Sequence, residues 1–510
     1  MFPYALYTLT AHVYSVVHVD QGGTGGTQVT RKAIASGTDA PVGKGDTSVG
    51  KTVGLIGLGC AKNRVDGEVM LGLLQQAGYE VAANPEQADT IIIHTCGFIG
   101  AAKEESIDTI LEAAEWRKQG KRLVVTGCLV QRYAQDLRQE LPEIDAFMGT
   151  ADLHRIVEVC DTVTATPPAP TRGRKSRRQP VEPKVWLGDP PYLYDADTPR
   201  LLSTPSHYAY VKVAEGCSYR CAFCSIPSMR GDQRSRPIES IVEEAHRLAA
   251  CGVKELILIS QNTTAYGRDL YGKPCLPALL HALAQVEGIA WIRFLYAYPA
   301  DVRDDVIAAM AEEPKVCNYL EMPLQHCDAR VLKAMNRGGS RAELEQLITK
   351  LRQHIPGLTL RTTFIVGFPG ETAAQFRELE AFVEWARFER MGAFTYSQEE
   401  GTPAGVMPGQ MTTRVKEQRR HRLMERQRDI SWAFNQTLIG QPLRVLIDGF
   451  SDAEQMWEGR YEGQAPEIDG VVYVQSEHLT PGMFVQVEVT EVTEYDLIGR
   501  PVEARNGPAI

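Results

Sequence analysis

The sequence predicts a multidomain α/β fold: a doubly wound N-terminal domain, a partial (β/α)6 barrel, and a small C-terminal all-β barrel. Three observations lead there. From Lys51, apolar β-branched runs alternate with amphipathic helical segments. The same alternation resumes at His207 and continues to Phe434. Beyond residue 440 only short strands of alternating character remain. A chain of 510 residues has room for three cores of this kind.

Residues 1–50, mildly apolar over Met1–Asp20 and Gly/Thr/Ser-rich over Gln21–Val49, read as a flexible leader to which no fold is assigned. The N-terminal domain is expected over 51–160. Its buried parallel strands are Val53–Leu58, Thr90–His94 and Leu123–Thr126, separated by helices such as Gly67–Ala77 and Ala101–Lys118. Residues 161–200, rich in proline and carrying the basic run Arg172-Gly-Arg-Lys-Ser-Arg-Arg178, read as a linker. The second α/β unit, 201–435, has candidate strands at Ala209–Ala214, Glu255–Ser260, Trp291–Tyr296, Tyr319–Met322, Thr359–Val366 and Gly392–Tyr396. Thr413–Phe434 is a basic helix expected to pack between domains. The final unit, 436–510, has strands at Leu443–Asp448, Val471–Gln475 and Met483–Val492.

A net charge of −10 argues against a chain that coats nucleic acid through a general basic surface. Eleven cysteines are too sparse for a disulfide scaffold, and six of them fall into two metal-like groups, which points to a reducing cytoplasm. No apolar run is long enough for a membrane helix, so no membrane partner is expected.

The most specific stretch is Cys217-Ser-Tyr-Arg-Cys221-Ala-Phe-Cys224. Three cysteines in C-x-x-x-C-x-x-C spacing can place three thiolates on one iron–sulfur cube, leaving one iron open to a small-molecule chelator. Zinc sites favour four closed ligands in paired units, a different pattern. A second triad is dispersed: Cys60, Cys96 and Cys128 each follow a predicted strand by a residue or two. In an open parallel sheet those strand ends share one edge, so three distant cysteines can converge there. Cys160, Cys251, Cys275, Cys317 and Cys327 have no ligand-like spacing and are read as structural.

The Cys217–Cys224 loop resembles the signature of the radical S-adenosylmethionine (SAM) enzymes. That resemblance implies a 4Fe–4S cluster on Cys217, Cys221 and Cys224, with SAM bound at its open iron and cleaved to a 5′-deoxyadenosyl radical. Gly367-Phe368-Pro369-Gly370-Glu371, after the fifth strand of the barrel, resembles the family's SAM-side motif. Gly57-Leu-Gly-Cys-Ala-Lys-Asn-Arg-Val-Asp66, His94-Thr-Cys-Gly-Phe98 and Gly127-Cys-Leu129 resemble the N-terminal domain of the methylthiotransferases. This implies a second 4Fe–4S cluster on Cys60, Cys96 and Cys128, carrying the sulfur to be inserted. The C-terminal unit resembles a TRAM domain.

Two substrate classes share that architecture: a modified adenosine in tRNA, and an aspartate β-carbon of small-subunit ribosomal protein S-12. Residues 440–510 hold thirteen acids against four arginines and no lysine, a net −9. Such a domain repels phosphate and steers toward a basic protein. Lys212-Val-Ala-Glu-Gly-Cys217, Pro323-Leu-Gln-His326, Tyr396-Ser-Gln-Glu-Glu-Gly-Thr402 and Ala465-Pro-Glu-Ile-Asp-Gly470 also resemble the ribosomal-protein subfamily. Asn262 departs from it, standing where an acid is usual. The expected reaction is therefore methylthiolation of S-12, with an electron donor as a further partner; the tRNA activity is the alternative.

Overall fold

The computed structural model describes residues 51–165 and 182–502. The leader and the basic run Arg172–Arg178 lie outside the described residues. The N-terminal domain contains β1 (Thr52–Gly57), α1 (Ala61–Gln76), β2 (Glu80–Val81), β3 (Thr90–Thr95), α2 (Gly100–Ala114), β4 (Arg122–Gly127), α3 (Cys128–Glu140), β5 (Ala146–Met148), α4 (Ile156–Ala165) and β6 (Lys184–Trp186). Its sheet is wholly parallel, in the order β2-β1-β3-β4-β5-β6. Alternate residues face opposite sides. Val53, Leu55, Ile92 and Val124 pack with α1 and α4, whereas Ile91, Ile93, Leu123 and Val125 pack with α2 and α3. Both faces are therefore covered, as a parallel sheet requires.

The linker expected over 161–200 is corrected in part. Helix α4 runs to Ala165, and Lys184–Trp186 pairs with β5 as the sixth strand. Three residues with a lysine and a tryptophan carry no alternation that a sequence reading could use. Tyr194 and Arg200 beyond it are buried against the next domain.

That domain contains β7 (Tyr208–Lys212), β8 (Ala214–Glu215), α5 (Ile226–Arg230), β9 (Arg234–Ser235), α6 (Ile238–Ala250), β10 (Glu255–Ile259), α7 (Arg268–Tyr271), α8 (Leu276–Ala284), β11 (Trp291–Phe294), α9 (Asp304–Glu312), β12 (Tyr319–Glu321), α10 (Ala329–Ala334), α11 (Arg341–His354), β13 (Thr359–Val366), α12 (Ala373–Ala386), β14 (Arg390–Thr395) and α13 (Thr413–Gln436). Parallel sheets β7-β10-β11 and β12-β13-β14 are joined by a parallel bridge between Ile292 and Val316 and by Ala297 N–H donating to Glu321 O at 3.0 Å. Six strands thus curve as an open barrel, in the order predicted. The outer helices bury one large apolar core against it.

Strands β15 (Pro442–Ser451), β16 (Met456–Tyr461), β17 (Val472–Val474), β18 (Phe484–Val492) and β19 (Leu497–Pro501) close into a barrel. Strands β16 and β19 were not among the predicted ones, because Glu458, Gly459, Arg460, Gly499 and Arg500 interrupt their apolar alternation. A single apolar cluster joins the three domains: Val65 and Val69 of α1, Tyr208, Tyr210, Ile257 and Trp291 of the open barrel, and Leu446 and Ala465 of the C-terminal barrel.

Candidate functional site

Cys60, Cys96 and Cys128 stand at the C-terminal ends of the adjacent strands β1, β3 and β4. Gly59 adopts φ +97°, and a Cβ there would lie 3.3 Å from Cys96 Sγ, so glycine lets the first two loops touch. Gly127 adopts φ +107°, and a Cβ would come within 2.5 Å of Thr95 O. Asn63 Nδ2 donates to Leu58 O (3.0 Å) and Thr95 O (3.1 Å), tying the β1 and β3 ends together, while Cys128 Sγ lies 3.7 Å from Asn63 Oδ1. Cys60 immediately precedes α1 and Cys128 opens α3, where free backbone N–H groups favour a thiolate. Burial opposes charge on Cys60, but Lys62, the amides of Asn63 and Lys62, and Arg230 together draw its thiol below the ordinary value. Burial dominates at Cys96 and Cys128 and pushes both thiols up.

The second triad sits just past β8, at the mouth of the open barrel. Cys217 N–H donates to Gly231 O and Cys224 N–H to Cys221 O, each at 3.0 Å, which closes the loop over α5. Ala222 N–H donates to Met335 O and Ala222 O accepts from Ala404 N–H, each at 2.8 Å, so two other segments brace it. Tyr219 stacks on Tyr298 with ring centroids 3.8 Å apart and donates to Asp301 at 3.1 Å. Arg337 lies over the Tyr298 ring, 4.3 Å from its centre, and 3.6 Å from Cys221 Sγ. Burial raises the Cys217 thiol and pushes Cys224 up to about 12. Among the described residues no three His, Cys, Asp or Glu side chains close on a single-ion point. A cube, with ligated irons at separate corners, needs a wider spacing, and three thiol donors in each group suit one.

The Gly367–Glu371 turn lies beneath this loop. Phe368 packs in one apolar cluster with Ala222 and Phe223. Gly367 and Gly370 take φ +74° and +79°. The buried Glu371 carboxylate accepts from the Gly367 and Phe368 amides and pairs with Arg419 of α13 at 2.9 Å. Its side chain therefore holds the turn and ties it to the basic helix. Asn262 is equally committed, donating to Asp301 at 3.0 Å and accepting from Thr264 at 2.9 Å. A cavity of about 180 Å³ lined by Ser218, Tyr219, Gln233, Ala265, Arg268 and Asp269 opens beside the loop.

Between the two triads runs a buried polar network that motif reading does not resolve. Lys212 pairs with Asp66 and Glu215. Arg230 pairs with Asp66 (2.7 Å) and Glu215 (3.1 Å), and donates to Asn63 Oδ1 (2.6 Å) and Cys128 Sγ (3.3 Å). Lys212 and Arg230 outweigh the burial of Asp66 and hold its carboxyl at about 2. A second bridge is Arg132, which donates to Gly97 O (2.6 Å) beside Cys96 and reaches Ser225 Oγ (3.5 Å) beside Cys224. It also pairs with the buried Glu399 (3.0 Å), which receives Lys103 as well (2.8 Å). Lys62 Nζ lies 3.2 Å from the Tyr296 ring centre. Tyr296 ends the β11 segment in a left-handed conformation, φ +64°, with its N–H held by Glu321 at 2.7 Å. Asn63, Asp66, Lys212, Glu215 and Glu399 fall inside the quoted motifs. Arg132 and Arg230 do not.

Comparison with known proteins matches residues 52–149 to the uncharacterized protein family UPF0004, 211–383 to the radical SAM superfamily and 439–502 to the TRAM domain. Over 70 % of its length the chain is similar in fold to a radical SAM methyltransferase, TsrM, from Kitasatospora setae, at TM-score 0.51 and 14 % identity, with 77 % of that chain covered. The ribosomal protein uS12 methylthiotransferase RimO of Anaeromyxobacter sp. (strain K) is 50 % identical over 448 residues, 87 % of this chain and 92 % of the relative. That of Citrifermentans bemidjiense is 47 % identical over 88 % of this chain and 98 % of its own length. That of Pelotomaculum thermopropionicum is 49 % identical over 89 % and 100 %. With all three domains matched in order and half of the residues shared across nearly the full length of these relatives, this chain belongs to the RimO family of radical SAM ribosomal protein uS12 methylthiotransferases.

Proposed function

We propose that the chain converts a C–H bond to C–SCH3 at the β-carbon of an aspartate in ribosomal protein uS12, using SAM and two 4Fe–4S clusters. The observation that carries this reading is the pairing of two three-thiol groups across one domain boundary, each on loops at C-terminal strand ends. Cys217, Cys221 and Cys224 would hold the radical cluster, and Cys60, Cys96 and Cys128 the auxiliary one. Bound there, clusters and SAM supply the one-electron chemistry that reaches an unactivated C–H bond. The chain's own residues position and shield. Phe223 of the radical loop packs with Phe368 and Met335, Tyr219 and Tyr298 wall one side, and Arg132 ties the two cysteine loops to Glu399. The Gly367–Gly370 turn, with two left-handed glycines, would present backbone to SAM while Glu371 fixes it from behind. No side chain is needed as general acid or base.

Substrate docking would use the C-terminal barrel. Several of its acids are spent inside the chain: Asp448 on Arg460 and His207, Glu467 on Arg64, Asp469 on Arg361. Asp452, Glu454, Glu477, Glu491 and Glu494 stay exposed. These suit a basic protein and repel a phosphate backbone, so tRNA is no partner in this reading. An electron donor completes the cycle. Intact-mass measurement of uS12, with tRNA nucleosides in parallel, from cells with and without this chain tests the proposal. Loss of a methylthio increment from uS12 alone is expected. Loss from tRNA alone would overturn it.

A further inference from the structure

Arg230 ends α5, the short helix that follows Cys224, and the next residue's carbonyl holds Cys217 N–H. It therefore belongs to the loop of one triad, yet its guanidinium reaches a sulfur of the other: Nη2 lies 3.3 Å from Cys128 Sγ and 2.6 Å from Asn63 Oδ1. The side chain is 2 % exposed. Its other nitrogen is pinned by Asp66 and Glu215, which Lys212 also shares. Two cations and two carboxylates balance, so the face of Arg230 turned to Cys128 adds a donor without importing a net charge. A planar fork held at Nη1 by two buried acids and at Nη2 by Asn63 Oδ1 has one orientation left, which is what a fixed N–H···S contact requires.

We infer that Arg230 is a positioning residue through which the radical domain sets the reduction potential of the auxiliary cluster, by donating a hydrogen bond to the Cys128 sulfur. This rests on the reading that Cys128 is a ligand of that cluster. Hydrogen bonds to cluster sulfurs stabilise the more negative, reduced state and raise the potential. Removing the donor lowers it.

The test uses the full-length chain carrying C217A/C221A/C224A, so that only the auxiliary cluster remains. Its midpoint potential is measured by redox titration followed by electron paramagnetic resonance, with iron content determined in parallel. Arg230→Gln shifts the midpoint to more negative values, and Arg230→Lys, which keeps the charge without the fork, shifts it less. Because Arg230→Gln unpairs buried acids and can cost the fold, the same parent is also made with 15N-arginine. A 15N hyperfine coupling to the reduced cluster is then expected, and it disappears in Arg230→Lys. An unchanged midpoint at full iron content, or no 15N coupling in the parent, overturns the inference while leaving the cluster assignment standing. A parent that binds no iron overturns both.

Discussion

Replacing Cys217, Cys221 or Cys224 singly by alanine is expected to abolish 5′-deoxyadenosine release and to remove about half of the bound iron, since each cube needs its three thiolates. Replacing Cys96 should leave 5′-deoxyadenosine release intact and eliminate methylthiolated uS12, and chromatography of the nucleoside with mass analysis of the protein separates the two outcomes. These residues were legible in the sequence for physical reasons. Cys217–Cys224 is a local loop whose spacing alone fixes the geometry. Cys60, Cys96 and Cys128 were legible because parallel strands of like length bring their C-terminal ends to one edge. Arg230 and Arg132 were not. Their partners lie up to 267 positions away in sequence, and an ion pair across domains leaves no period to read. Asn262 was visible as a departure, yet its hydrogen bonds to Asp301 and Thr264 emerge only from the fold.

Helix α1 begins six residues ahead of the segment expected from periodicity, at Ala61 rather than Gly67. Its first turns are Lys62, Asn63, Arg64 and Asp66, polar residues that are nonetheless buried because they face another domain. An amphipathic reading assigns such residues to solvent, so elements at domain boundaries are where it fails. The same logic locates the costliest substitution between elements. Glu255 of β10 accepts from Arg293 of β11 at 2.8 Å and from Arg460 of β16 at 2.7 Å, all three fully buried or nearly so. Glu255→Gln leaves buried Arg293 without a carboxylate and Arg460 with Asp448 alone, and should cost about 3–5 kcal/mol, seen as a lowered Tm and early proteolytic release of the C-terminal barrel. Asp448 at this junction predicts a pH response. Burial opposes its charge, but Arg460 and His207 hold its carboxyl below the usual value. A depressed acid contributes stability above its unfolded pKa, about 3.9, and loses it as pH falls through the folded value. Barrel release should therefore rise below about pH 4, less steeply in Asp448→Asn.

At the level of the whole molecule, the C-terminal barrel is fixed to both other domains: Glu467 pairs with Arg64 of α1, and Asp469 with Arg361 of β13, each about 2.7–2.8 Å. Its exposed acids are consequently presented at a set position relative to the cysteine loops. Neutralising Asp452, Glu454 and Glu477 together, at roughly 0.5 kcal/mol for each exposed pair, should raise KM for uS12 about tenfold with kcat unchanged and a flatter dependence on salt. The three-domain order and the barrel were readable in the sequence because each domain has its own periodicity. Their mutual locking was not, being written in single charged residues. Cys128 is 6 % exposed and is enclosed by Asn63 and by Arg230 from the neighbouring domain. Iron and sulfide are therefore expected to reach Cys128 more readily when that neighbour is lifted away. Protein stripped of iron should refill slowly in native buffer and markedly faster in mild urea, a difference that stopped-flow absorbance of the growing chromophore would follow.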